Sequence, residues 1–252
     1  MTSIEKANIL KRAAAVILDF IIASIIAVGI AFLLSFILDI DGHKDKLNGY
    51  YTYYEETYNV KFGLTQAEFD ALSEEEKAHY QEVEDLIKED KDFIKENTLY
   101  NRLLILTVLI SLLVGVLIVE FVLPLILKDG QTVGKKVFNL CLVKPNGVKV
   151  QHVQLFVRAL FGKAIVDVII PVYLVYASMS GSLGVIGIII LVIYLIVQTV
   201  VLFATKNKTM IHDLLALCVV VDKESQYIFE SDEAREEYVK EKHKEEVKKE
   251  NY

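Results

Sequence analysis

The chain has 252 residues, 54% of them hydrophobic, with 27 basic against 34 acidic residues and a formal charge of −7. Its apolar residues collect in four stretches nearly free of charge, 13–38, 103–127, 164–179 and 183–204, of 26, 25, 16 and 22 residues. A helix crosses a bilayer core with about 20 apolar residues, so this distribution excludes a soluble enzyme, a disordered chain and a disulfide scaffold. It predicts a polytopic membrane protein.

Three stretches are long enough outright, and the third becomes so with the residues near Phe161. The expected fold is an all-α membrane protein of four transmembrane helices with a small cytoplasmic β element. Residues 7–38 form the first span. A signal peptide has an apolar region of about 7–15 residues ending at small residues; this run is longer and ends in Phe36-Ile37-Leu38, so it reads as a retained span.

Residues 39–100 form an acidic, partly helical insert. Positions 39–97 hold 7 lysines and 17 acids, net −10. Ser73 with Glu76 makes a capping box, and Val83, Leu86, Ile87, Phe93 and Ile94 then follow a helical period. Tyr50, Tyr51, Tyr53, Tyr54, Tyr58 and Tyr100 suit an aromatic belt at the membrane surface. The insert reads as a solvated acidic cap or as a substrate-capture domain.

Residues 101–127 are the second span. Residues 128–163 hold 7 basic residues and one acid, Asp129. Leu140 to Lys144 and Val148 to Val150 read as short strands around the turn Pro145-Asn146-Gly147. Val153, Phe156, Val157 and Leu160 give an amphipathic interfacial helix carrying Arg158. Residues 164–204 supply the third and fourth spans, 205–223 a cytoplasmic motif and strand, and 224–252 a charged tail. Lys6, Lys11, Arg12, the 128–163 cations, Lys206 and Lys208 place both termini and 128–163 in the cytoplasm by the positive-inside rule. The insert then lies outside a cell membrane. Cys141 and Cys218 fall on the cytoplasmic side, where thiols stay reduced.

Leu140-Cys141-Leu142-Val143 matches Leu217-Cys218-Val219-Val220, and Thr132 precedes the first cysteine by the same step as Thr209 the second. Two parallel halves of the chain would explain this, as in repeat-built transporters. Cys141 and Cys218 would then occupy pseudo-equivalent places.

Ionisable groups inside spans are costly and functional by default. Three stand there: Asp19, Glu120 and Asp167. Asp19 is seven residues beyond Arg12, close to two turns, so the two face the same way. Asp167 stands four residues past Lys163, and Glu120 eight before Lys128, which puts all three carboxylates in the inner half of the membrane. Together in a low-dielectric layer they cannot all remain ionised without cations. Either they exchange H⁺ or Na⁺, or Arg12, Arg158 and Lys163 neutralise them as fixed ties between helices. Gly115, Pro124 and Pro171 would allow kinks around such a site. His212-Asp213 reads as a polar anchor just past the last span.

The loop Gly130-Gln131-Thr132-Val133-Gly134-Lys135 lacks the glycine spacing and following Ser or Thr of a nucleotide-binding loop. The five histidines show no ligand spacing, and no nucleophile motif appears. No metal, cofactor, nucleic acid or enzyme chemistry is therefore expected.

Several of these residues resemble one family. Arg12 with Asp19, the run Gly130-Gln131-Thr132-Val133-Gly134-Lys135, Arg158, and Thr209-Met210-Ile211-His212-Asp213-Leu214-Leu215-Ala216 resemble the motifs of RDD-family membrane proteins. The resemblance covers residues 7–38 and 101–222. It carries the Arg and two Asp of the family name onto Arg12, Asp19 and Asp213. Where the family commonly has Gly-Thr, this chain has Leu217-Cys218. The resemblance implies a multi-pass membrane protein, for which transport, including cation/proton antiport, is the usual suggestion.

Two functional expectations follow. In the first, a secondary transporter binds its coupling ion, H⁺ or Na⁺, at Asp19, Glu120 and Asp167, with Arg12 and Asp213 shaping an inner gate. In the second, a non-transporting scaffold or assembly factor uses Arg12–Asp19 and His212–Asp213 as structural ties and binds a partner through the insert or tail. Four spans make a thin bundle in the lipid bilayer, and a homo-oligomer would supply a pathway that one subunit does not enclose.

Overall fold

The computed structural model describes residues 7–127, 129–225 and 227–250; Lys6 and Lys128, two of the flanking cations, lie outside the described residues. The described residues are mostly helical, with one two-stranded sheet among them. Among the described residues three helices are long and apolar enough to cross a membrane: Ile9–Ile37, Lys91–Leu127 and Gly184–Ala204. In hydrocarbon an uninterrupted helix satisfies every backbone group within itself, and these sequences offer little else to bury. The 164–179 stretch is also helical but falls outside that set. Its helix begins at His152 and runs without a break through Arg158–Ile169 to Ile170–Met179. The expected separate interfacial helix is thus the first part of this one. Gly162 lies within it and permits a close approach to His212: a Cβ added there would meet the His212 Cβ at 2.5 Å.

Among the described residues two segments wind as π-helix, Ile118–Val122 and Arg158–Ile169. Each is followed closely by a proline, Pro124 or Pro171, which has no N–H to continue the ordinary ladder. π-turns widen the step to i→i+5 and concentrate at functional sites. Here they carry Glu120, Arg158, Lys163 and Asp167.

Two compact units are distinguished, Met1–Ile30 with Ser111–Tyr252, and Ala31–Ile110. In the first, small residues set the helix packing. Ala15, Ala23 and Ala27 are the buried alanines of the first helix, whereas Phe20 is 63% exposed. A Cβ on Gly115 would stand 2.7 Å from the Ala23 carbonyl oxygen, so only glycine permits this approach.

The sheet pairs β1 (Leu140–Val143) with β2 (Val219–Asp222), antiparallel, with Cys141 opposite Val221. Each strand follows a five-residue helix, Val133–Val137 or Ile211–Leu215. Each helix ends in one bridge-region residue, Phe138 (φ −94°) or Ala216 (φ −92°). A left-handed residue comes next, Asn139 (φ 57°) or Leu217 (φ 50°). Matching hydrogen bonds close both turns, Asn139 N–H to Lys136 O at 3.2 Å and Leu217 N–H to Leu214 O at 3.1 Å. The repeat is therefore present in the backbone, but one residue out of step with the sequence match. Leu140 corresponds to Cys218, and Cys141 to Val219. In a strand a one-residue shift changes the face. Cys218 accordingly packs with Leu140, Leu142 and Val220, and Cys141 with Val143, Val219 and Val221. The two cysteines are not equivalent.

The anticipated hairpin is reduced to a turn, with Lys144 N–H donating to Val148 O at 2.8 Å and a single Val143–Lys149 bridge. Its outer side is met by the tail: Phe229 N–H donates to Gly147 O at 3.1 Å and Lys149 N–H to Phe229 O at 3.0 Å.

The unit Ala31–Ile110 holds helices Ile40–Tyr58, Gln66–Asp70 and Glu74–Glu89 and the start of Lys91–Leu117. Ser73 caps its helix with the expected box, and Thr65 with Glu68 makes a second. Leu47, Tyr54, Val83, Ile87 and Phe93 form the core, while Leu86 and Ile94 stay exposed. Tyr54 thus belongs to the insert's own core, with Tyr50 and Tyr100 packed against it.

Candidate functional site

The first helix brings Arg12 and Asp19 to the unit that carries the sheet. Asp19 is buried and is held by the short helix after the second span: its Oδ2 accepts from the Thr132 hydroxyl at 2.5 Å and its Oδ1 from the Gly134 N–H at 2.7 Å. The approach depends on glycine, since a Cβ at Gly134 would stand 2.2 Å from the Ala15 carbonyl oxygen and 2.9 Å from the Asp19 carboxyl carbon. Thr132 also caps that helix, accepting from Lys135 N–H.

Glu120, in the first π-segment, faces three cations. Its Oε2 lies 2.6 Å from Arg158 Nη1 and 3.1 Å from Lys135 Nζ, and its Oε1 lies 3.9 Å from Lys163 Nζ. Arg158 turns its Nε to Asp213 Oδ1 at 2.9 Å. Arg12 approaches the other oxygen of Asp213 at 3.4 Å and donates to the Lys208 carbonyl at 2.6 Å. Asp213 is fully buried. Burial opposes its ionisation, but the Arg158 and Arg12 guanidiniums outweigh that and hold its carboxyl well below the usual range. Asp167 sits 2.6 Å from His212 Nδ1 and 3.8 Å from Lys163 Nζ, and accepts from Gln198 at 2.9 Å.

The cluster therefore contains four carboxylates, Asp19, Glu120, Asp167 and Asp213, and four permanent cations, Arg12, Lys135, Arg158 and Lys163. It is electrically balanced when His212 is neutral, and burial, with Lys163 adding to it, pushes that imidazole towards neutrality. Ions drawn this far from water survive only when paired and hydrogen-bonded. A cavity of about 330 Å³ opens beside it, with Arg12, Asp19, Lys135, Arg158, His212 and Asp213 on its wall.

All the residues singled out in the sequence, Arg12, Asp19, Glu120, Arg158, Asp167, His212 and Asp213, meet in this one cluster. Their pairing differs from expectation. Arg12 lies on the same cavity as Asp19 but pairs with Asp213. Among the described residues no cationic nitrogen comes within the 4.0 Å of an ion pair to Asp19. Thr132, Gly134 and Lys135 were not anticipated as site residues; their signal was the Gly-Gln-Thr-x-Gly-Lys run. Gln198, an amide buried in the Gly184–Ala204 helix, was a signal of the same kind as a buried charge.

A scan against protein-family models matches the RDD family over residues 6–217. No curated protein matches the chain, and no solved structure does. The matched stretch takes in every residue of the cluster, and with most of its length covered the chain belongs to the RDD family.

Proposed function

We propose that this RDD-family protein is a secondary transporter that exchanges a small cation, H⁺ or Na⁺, at Asp19. The observation that carries this reading is the contrast among the buried carboxylates. Glu120, Asp167 and Asp213 each have a permanent cation at ion-pair distance, whereas among the described residues Asp19 bonds directly to a hydroxyl and an amide, with Lys135 one step away on the Thr132 hydroxyl at 3.3 Å, and it faces the cavity. A carboxylate in contact with arginine is held ionised and takes up a proton only at acid pH, whereas one held by neutral donors binds a proton or Na⁺ more readily. Glu120, Arg158 and Asp213 then fix the helices, Arg12 and Asp213 border the cytoplasmic entrance, and Asp167 with His212 relays charge beside it.

This reading takes residues 158–179 as a fourth span beside Gly184–Ala204. The short link supports it, since Leu183 N–H donates to Ala177 O at 2.9 Å and Gly187 packs against Leu174 and Ser178. Four spans set both termini in the cytoplasm of a cell membrane, as the flanking charges favour. No enzymatic step is assigned to the cluster, and a homo-oligomer would complete a path between subunits.

Proteoliposomes with an imposed pH or Na⁺ gradient test it. Wild-type protein should collapse the gradient and Asp19→Asn should not; absent flux in wild type, or equal flux in the variant, overturns it. The ion-pair network of Glu120 favours a second reading, a rigid scaffold without transport. Its mark would be stoichiometric co-purification of another membrane protein, lost on deleting 39–97 or 224–252.

A further inference from the structure

The unit Ala31–Ile110 carries a cavity of about 550 Å³, within the range of small-molecule sites. Four aromatic rings stand on its walls, Tyr51, Phe62, Tyr80 and Phe93. They come from helix Ile40–Tyr58, the loop after it, helix Glu74–Glu89 and the start of Lys91–Leu117. Tyr51 meets Phe62 and Phe93 edge-on, with centroids 5.4 and 5.5 Å apart, and Phe62 meets Tyr80 in the same way at 5.7 Å. Edge-to-face contact fixes the rings at steep angles to one another, so the wall is a braced set of rings from separate elements.

Two carboxylates share that wall, Glu55 and Glu84. Glu55 is tied to the aromatic loop by accepting the Phe62 N–H at 2.7 Å. Glu84 lies 3.1 Å from Lys88, which also faces Asp85 at 3.9 Å. The lysine on the wall is thereby neutralised, and the field left in the cavity is negative. The surroundings reinforce it, because positions 39–97 carry a net −10.

Aromatic rings beside a carboxylate suit one class of guest. A small inorganic cation keeps its water and gains nothing from the rings. An anion is repelled, and a neutral apolar guest gains nothing from Glu55. An organic ammonium ion combines a charge with weakly hydrated carbon and is attracted by both. We propose that this cavity is a binding site for a low-mass organic ammonium cation. Ion exchange by the buried cluster has no bearing on it, since every wall residue comes from 31–110.

The test uses the full chain in detergent, titrated with benzyltrimethylammonium, benzyl alcohol and benzenesulfonate. Heat of binding is measured, with tyrosine emission as a second signal, which the absence of tryptophan leaves unobscured. Saturable binding is expected for the ammonium ion alone. Glu55→Gln keeps the size and the acceptor for Phe62 N–H and removes only the charge. It and Tyr80→Leu should each weaken binding about tenfold, with unchanged circular dichroism for Glu55→Gln. No saturable binding, equal binding of benzyl alcohol, or an unchanged affinity in Glu55→Gln overturns the proposal.

Discussion

Arg158 and Glu120 stand 2.6 Å apart, nitrogen to oxygen, each at a π-helical position and each almost fully buried. The same guanidinium also holds Asp213, so one planar side chain ties the second span to the short helix before β2. Removing one member of a buried pair leaves the other charge uncompensated, at a cost of about 3–5 kcal/mol. Arg158→Ala and Glu120→Gln should both lower the thermal midpoint in detergent sharply. Arg158→Lys should rescue little, because an ammonium lacks the fork that serves two carboxylates at once. A midpoint unchanged in Arg158→Ala would contradict the pairing.

Gly134 touches both the Ala15 backbone and the Asp19 carboxyl. Gly134→Ala should push the first helix off its seat, costing about 1–3 kcal/mol as overpacking does, and should reduce any flux through Asp19. The comparison that checks it is Gly49→Ala, since a Cβ at Gly49 meets nothing within 4 Å; its melting point should stay near that of wild type.

Leu217 holds a left-handed backbone (φ 50°) with its side chain 69% exposed. A side chain in that conformation is strained by about 1–2 kcal/mol, part of which Leu217→Gly should recover against the greater freedom of an unfolded glycine. A small rise in melting temperature is expected. Asn139→Gly should change less, because asparagine tolerates this region. A fall in Leu217→Gly would mean that the leucine makes a contact in lipid worth more than the strain.

Cys141 and Cys218 are buried, and burial pushes each thiol up to about 12. The thiolate is the reactive form, so maleimide should label neither at neutral pH until the protein is unfolded in dodecyl sulfate. Lying on opposite faces of the sheet, they should form no disulfide with an oxidant. Rapid labelling of the native protein would show that the sheet opens.

Asp129 accepts from Lys223 at 2.8 Å and sits 2.9 Å from Lys149, and these ammonium groups hold its carboxyl below the ordinary 3.8, against a burial cost. A carboxyl with a lowered folded pKa adds stability that is complete above the ordinary value and disappears as pH falls through the lower folded one. The Leu142 amide, bonded to the Asp129 carbonyl, reports this locally. Its exchange protection, corrected for the intrinsic rate, should hold at mildly acidic pH and fall below about pH 4. Asp129→Asn should flatten that fall.

Three of the four expected spans were legible because hydropathy alone specifies them, and Asp19, Glu120 and Asp167 were legible because a charge inside an apolar run has few places to go. Who pairs with whom was not. Arg12 and Asp19 share a helix face by spacing, yet Asp213 lies closer to Arg12 once the last short helix folds back. Lys135 looked like part of a loop, and only the chain reversal at Asp129 and Gly130, both with positive φ, carries it beneath Glu120. The π-winding of Arg158–Ile169 left only Pro171 as a mark in the sequence, and it changes which residues share a face. The cysteine repeat misled for a related reason: letters aligned at Cys141 and Cys218, whereas the backbones align at Asn139 and Leu217.

The charged cluster draws on the first helix and on Ile211–Leu215, near opposite ends of the chain. During synthesis, Arg12 leaves the ribosome long before Asp213 exists, and Arg158 reaches the bilayer with only half of its partners made. Biogenesis thus passes through a stage in which cations at the membrane have no permanent counter-ion. A message truncated before codon 211 would freeze the protein there, as a natural target for membrane quality control.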